Sequence, residues 1–130
     1  MTIGRRGEEL AAAYLKRQGY AILARNVHIG HDELDIIAED GQYIVFAEVK
    51  TRAQTAVSRR YGRPALAVDH AKQQNLLRAV SEYLRLHRPV KRPRIDVIEV
   101  YMPAVHAETP IDFSTLLPLE IRHLRNAVHK

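Results

Sequence analysis

The chain has 130 residues, with 20 Lys and Arg against 15 Asp and Glu and a formal net charge of +5. That length suits one domain that buries a core without covalent staples, the lack of cysteine excludes disulfides and thiolate metal sites, and no apolar run reaches the ~18 residues of a membrane-spanning helix. A basic balance favours polyanionic partners, nucleic acid above all.

Missing cysteine is in keeping with a reducing cytoplasm, which is the expected location. The N-terminal stretch MTIGRRGEELAAAYL has no apolar h-region and carries Glu8 and Glu9, so no signal or transit peptide is expected. No membrane partner is expected either.

Residues 3–18 read as a helix, with Gly19 as its C-cap. Ile3, Gly7, Leu10, Ala11, Tyr14 and Leu15 recur at helical spacing and form the inner stripe. Glu9 falls opposite that stripe, facing water. Glu8 falls at its edge, where an acid reaches a neighbouring site without entering the core. An acid near a helix N-terminus is also favourable in its own right. Residues 20–27, YAILARNV, read as a first strand. His28, His31 and Asp32 follow in a loop. They put three zinc-type ligands close together, but with no fourth and no strong zinc spacing, so a solvated loop is the expectation.

The stretch ELDIIAEDGQYIVFAEVKTR, residues 33–52, reads as a hairpin turning at Asp40-Gly41. Leu34, Ile36 and Ala38 alternate with Glu33, Asp35 and Glu39. Tyr43, Val45, Ala47 and Val49 alternate with Ile44, Phe46, Glu48 and Lys50. A two-residue turn pairs Glu39 with Gln42, Asp35 with Phe46 and Glu33 with Glu48. Asp35, Glu48 and Lys50 then share one face, with Asp35 diagonal to Glu48 at roughly 7–8 Å. A loop of odd length would scatter them. Charges on a strand also describe a plain solvated face. Here, however, Ile37, Ile44 and Phe46 share the face with the charges, as in a half-buried site. Buried charges need partners or a metal.

Downstream, AQTAVSRRYGRPALAVDH carries Arg59, Arg60 and Arg63 around Tyr61 and a Gly-Pro turn. It reads as a basic loop, either phosphate-holding or simply solvated. Residues 71–87 read as a second helix with Asp69 as N-cap. Leu76, Leu77, Val80, Tyr83, Leu84 and His87 form its inner face, and Lys72 lies at the edge. Pro89 and Pro93 end it and bracket a basic linker. Residues 94–101 read as a strand, MPAVHAETP as a loop, and residues 119–128 as a weak helix through Leu119, Ile121, Leu124 and Val128. The expected fold class is α/β: one domain spanning residues 1–130, a mixed sheet flanked by helices, with its core at about residues 3–101 and a C-terminal loop and short helix beyond.

An acid at the end of one strand followed by Glu-x-Lys on the next resembles the PD-(D/E)XK nuclease superfamily. Here it is Asp35, then Glu48-Val49-Lys50, with Leu34 where the name-giving proline would stand. The wider pattern is more specific. GRRGEELAAAYLKRQGY, RNV, the hairpin, KQQNLLRAVSEYL, RIDVIEV and IRHLRNAV together resemble the YraN-like family of bacterial proteins, over nearly the whole chain. That resemblance implies a restriction-endonuclease-like core, similar to Holliday-junction resolvases. It implies Glu8, Asp35, Glu48 and Lys50 as the catalytic set. It also implies Mg2+ or Mn2+ held by Asp35, Glu48 and the Val49 carbonyl. Asp32-Glu33 replaces the family's Gly-Glu, which bears on the shape of the approach and adds a charge.

The function expected is metal-dependent endonucleolytic hydrolysis of DNA, of branched or otherwise structured DNA in particular. Lys50 beside two carboxylates keeps its ammonium charge and orients the attacking water or stabilises the transition state. Glu8 binds a second metal or a water on the first. Arg5, Arg6, Arg52, Arg59, Arg60, Arg63 and Lys72 are the cations expected to hold the phosphates, and a homodimer is the expectation by analogy with resolvases. The competing reading is a non-catalytic nucleic-acid-binding module on the same fold.

Overall fold

The computed structural model describes residues 1–54, 69–104 and 112–129. The basic loop with Arg59, Arg60 and Arg63 lies outside the described residues. The element order is α1 (Ile3–Arg17), β1 (Ala21–Ile29), β2 (Asp32–Glu39), β3 (Tyr43–Gln54), α2 (His70–His87), β4 (Arg92–Pro103), a short 3-10 turn (Phe113–Thr115) and β5 (Glu120–Val128).

Both helices start and stop where their caps dictate. Thr2 Oγ1 accepts the Arg5 N–H at 3.1 Å, and Gly19 takes a left-handed φ of +95° just past α1. Asp69 Oδ1 accepts the Lys72 N–H at 2.8 Å. Arg88, at φ +44°, closes α2 by donating its N–H to the Leu84 carbonyl. Among the described residues, none of the helices is long and apolar enough to cross a membrane.

Among those residues the sheet has five strands in the order β1-β2-β3-β4-β5. All pairings are antiparallel except β3 with β4. A parallel pair needs a crossover, and α2 lies on that connection. Ala11, Ala12 and Leu15 of α1 pack with Ile36, Ala38, Val45, Ala47, Ile98 and Val100 on one face. Leu76, Ala79 and Val80 of α2 pack with Ile37, Phe46, Ile95 and Val97 on the other. Covered on both sides, β4 is buried without a break from Ile95 to Met102. This is the α/β architecture of a restriction-endonuclease-like core.

Three local expectations are corrected. The C-terminal segment is strand β5, not a helix. It pairs antiparallel with β4, Val97 opposite Leu124 and Val100 opposite Ile121. β4 carries a second edge that needs a partner, and pairing it outweighs a weak helical periodicity. The hairpin turns at Gly41-Gln42, one residue later than expected. Asp40 Oδ1 accepts the N–H groups of Gln42 and Tyr43 at 2.8 and 2.7 Å, and Glu39 pairs with Ile44. The register therefore moves by two, which preserves the faces. Finally, Leu34 and Ile37 belong to the same core cluster although three residues apart. The strand's alternation breaks around Asp35.

Candidate active site

The β2–β3 ladder runs from Glu39↔Ile44 to Ile36↔Ala47. Asp35 comes next. Its Oδ2 accepts the Val49 N–H at 2.9 Å, so a side chain fills the place of a neighbouring backbone. An orphaned N–H here would be costly, which favours a short acceptor. The printed pairing ends at Ile36↔Ala47, and beyond it the Asp35 side chain, not its backbone, meets β3.

Glu48 is 4% exposed. Its Oε1 lies 3.4 Å from Lys50 Nζ and 3.4 Å from Lys72 Nζ. Its Oε2 is buried and, among the described residues, has no hydrogen-bond partner. Asp35's carboxyl stands within hydrogen-bonding reach of Glu48 and is pushed up to about 7. Burial is the main cause and the Glu48 charge the next, opposed by the Val49 N–H. Two carboxyls thus face one another, one carrying an unsatisfied oxygen and the other resisting ionisation. Buried groups so arranged call for a proton or a cation between them.

Those observations fit a divalent cation. Among the described residues, no set of three or more His, Asp or Glu side chains converges as a metal cage. Two carboxylates, with water and substrate completing the shell, are the ordinary provision for magnesium. The pair Asp35 and Glu48 meets that description, and the Val49 carbonyl is the third oxygen the sequence suggested.

Glu8 arrives from α1. The helix comes close to β3 because Gly7 has no side chain: a Cβ there would sit 1.9 Å from Thr51 Oγ1. Glu8 is half-buried, and its carboxyl is raised by burial and by the charges of Glu33 and, more weakly, Glu48, against Arg25 and Arg5. It reaches Asp35 and Glu48 through its field. Its direct partner is Asn26, whose amide nitrogen donates to Glu8 Oε2 at 3.1 Å and to Glu33 Oε1 at 2.8 Å, an orientation set by those two acceptors.

The expected phosphate-holding cations divide. Lys72 turns inward onto Glu48. Arg5 is exposed at the start of α1. Arg6 Nε donates to the Leu116 carbonyl at 2.9 Å, which tethers the segment before β5. Arg52 Nε is buried and, among the described residues, has no hydrogen-bond partner. His28 lies in β1 rather than in a loop, and Asp32 opens β2. Asp32 accepts two bonds from Arg78, each 3.1 Å, and among the described residues this trio forms no metal cluster. A cleft of 240 Å³ opens between the β1–β2 turn and α2, lined by His31, Asp32, Glu33, Lys72, Asn75 and Leu76, and a separate one of 680 Å³ lies by Asp32, Arg78 and Arg85; Asp35 and Glu48 line neither.

Asn26 and the inward turn of Lys72 were not read from sequence as parts of the site. The signal for Asn26 was present, since asparagine is poorly suited to a strand interior and sits in the RNV run. Lys72 was legible as an edge position on α2 and as a phosphate-holding cation, not as a partner of Glu48.

The chain matches the model of the Uncharacterised protein family UPF0102 over residues 7–100. It is 40% identical over 125 residues to a UPF0102 protein of Chlorobium chlorochromatii, covering 96% of this chain and 89% of that one. It is 48% identical over 99 residues to one from Symbiobacterium thermophilum, covering 75% and 80%. It is 40% identical over 127 residues to one from Geobacter metallireducens, covering 97% and 91%. With a model spanning the sheet from α1 to β4 and relatives matched nearly end to end, this chain belongs to UPF0102, the YraN-like family.

Proposed function

We propose that the chain is a metal-dependent endonuclease that hydrolyses phosphodiester bonds in DNA, branched or otherwise structured DNA in particular. One observation carries this reading: the buried Glu48 carboxylate has an oxygen without a partner among the described residues and faces a second carboxyl that resists ionisation. Asp35 and Glu48 would hold Mg2+ or Mn2+, with the Val49 carbonyl as a third oxygen. When bound, the cation offsets the charge of the phosphodiester and makes water a stronger acid.

The chain's own groups do the rest. Lys50 Nζ, 3.4 Å from Glu48 Oε1, is a fixed positive charge at the site. It orients the attacking water and stabilises negative charge that grows on the phosphate. Lys72 Nζ, at the same distance from the same oxygen, holds that oxygen and leaves Oε2 for the cation. Glu8 adds negative charge on the α1 side.

The test is hydrolysis of branched, flapped and single-stranded DNA with Mg2+ or Mn2+. Asp35→Ala should reduce cleavage to background and Lys50→Ala should lower it by about 10²–10³-fold. Cleavage at the wild-type rate after either change would overturn the assignment. Salt-sensitive DNA binding with no cleavage and no response to metal would favour the binding-module reading instead.

A further inference from the structure

Asn26 combines features that a strand does not require. It takes a left-handed φ of +53° within β1, a conformation foreign to a regular strand that asparagine adopts more readily than other non-glycine residues. Its neighbours pair as Arg25↔Ile36 and Val27↔Leu34, so Asn26 stands opposite Asp35. From there its amide nitrogen reaches two carboxylates on different elements: Glu8 Oε2 of α1 at 3.1 Å and Glu33 Oε1 of β2 at 2.8 Å. Those carboxylates repel one another. A neutral amide has two N–H groups, one for each. Aspartate in its place would add a third negative charge, and glycine would keep the backbone but lose both bonds.

We propose that Asn26 is a positioning residue whose amide clamps Glu8 and Glu33 together, presenting Glu8 to the Asp35–Glu48 pair. Its consequence for catalysis rests on the nuclease reading above. The clamp explains how an acid from a helix is registered against acids from a sheet. Gly7 lets α1 approach β3, and Asn26 fixes where the next side chain ends.

Asn26→Gly separates the amide from the backbone, since glycine accepts the left-handed conformation. Its melting temperature should stay near that of the wild type. Its Mn2+ affinity, measured by calorimetry without DNA, should fall about 10–100-fold, as for other groups that orient ligands. Cleavage should fall by a similar factor, and adding Asn26→Gly to Glu8→Ala should cost little more than Glu8→Ala alone. A second readout needs neither metal nor DNA: the side-chain amide resonances of Asn26 should shift in Glu8→Ala and again in Glu33→Ala. Resonances unmoved in both variants, or Asn26→Gly binding Mn2+ like the wild type, would overturn the proposal. Wild-type protein that binds no Mn2+ and cuts no DNA would overturn the nuclease reading, while the amide resonances still decide the clamp.

Discussion

Asp35 carries the most testable charge in the molecule. Burial and Glu48 raise its carboxyl from the ordinary 3.8 to about 7. The native state therefore keeps its proton while the unfolded chain releases it. Stability from this group is full below pH ~4, falls as pH rises towards 7, and is flat above. A shift of this size is worth on the order of a few kcal/mol. Asp35→Asn should thus melt higher than the wild type at pH 8, and the gain should shrink by pH 4.5. Equal melting temperatures of the two proteins at both values would show that the Asp35 carboxyl is not raised by its burial and by Glu48. The same repulsion means that divalent cations should raise the wild-type melting temperature more at pH 8 than at pH 5, and should not raise that of Asp35→Asn/Glu48→Gln.

At the scale of elements, two contacts set the frame around the acids. Gly7 against Thr51 brings α1 to β3, and a Cβ at position 7 has no room. Gly7→Ala should destabilise the fold by about 1–3 kcal/mol, and Thr51→Ala in the same chain should restore part of it, both read from denaturant unfolding. The other contact secures β5. Asp96 is fully buried and accepts Arg94 Nε and Nη2, each at 2.9 Å, and the Asn126 N–H at 2.9 Å. His123 Nε2 lies 2.6 Å from it, and Tyr14 OH lies 3.0 Å from His123 Nδ1. Burial alone would raise the Asp96 carboxyl, but the bonds from His123, Arg94 and Asn126 outweigh it and hold it below its usual range. Its stabilisation is present above pH ~4 and lost as pH falls through the depressed value. Asp96→Ala should cost about 3 kcal/mol, because it leaves the half-buried Arg94 without its carboxylate. This network also shows why the last strand was hard to read. Asn126, with φ +51°, disturbs the alternation of IRHLRNAV, and what remains mimics a helical spacing. The hairpin was legible because an even-length turn preserves the faces whichever pair of residues makes it. Its register was not, since the Asp40 side chain decides the turn. The caps at Thr2 and Asp69 and the stripes of both helices follow from local chemistry alone. The parting of β2 from β3 at Asp35 depends on three-dimensional pairing that no window of sequence contains.

For the whole molecule, the basic balance and the acidic site have to act together. A net charge of +5 favours DNA in a salt-dependent way, and binding should weaken linearly on a log–log plot, by about 0.9 per phosphate neutralised. Arg5, exposed beside the site, should contribute one such contact: Arg5→Ala should weaken binding across sequences and flatten the slope by about one. An unchanged slope would place the DNA elsewhere. All of this depends on Asp35 and Glu48 sharing one divalent ion. A crystal soaked in Mn2+ and measured at the manganese edge tests that most directly. The account predicts an anomalous peak between the two carboxylates, at about 2.1 Å from their oxygens. No peak there, or a peak on other residues, would contradict it.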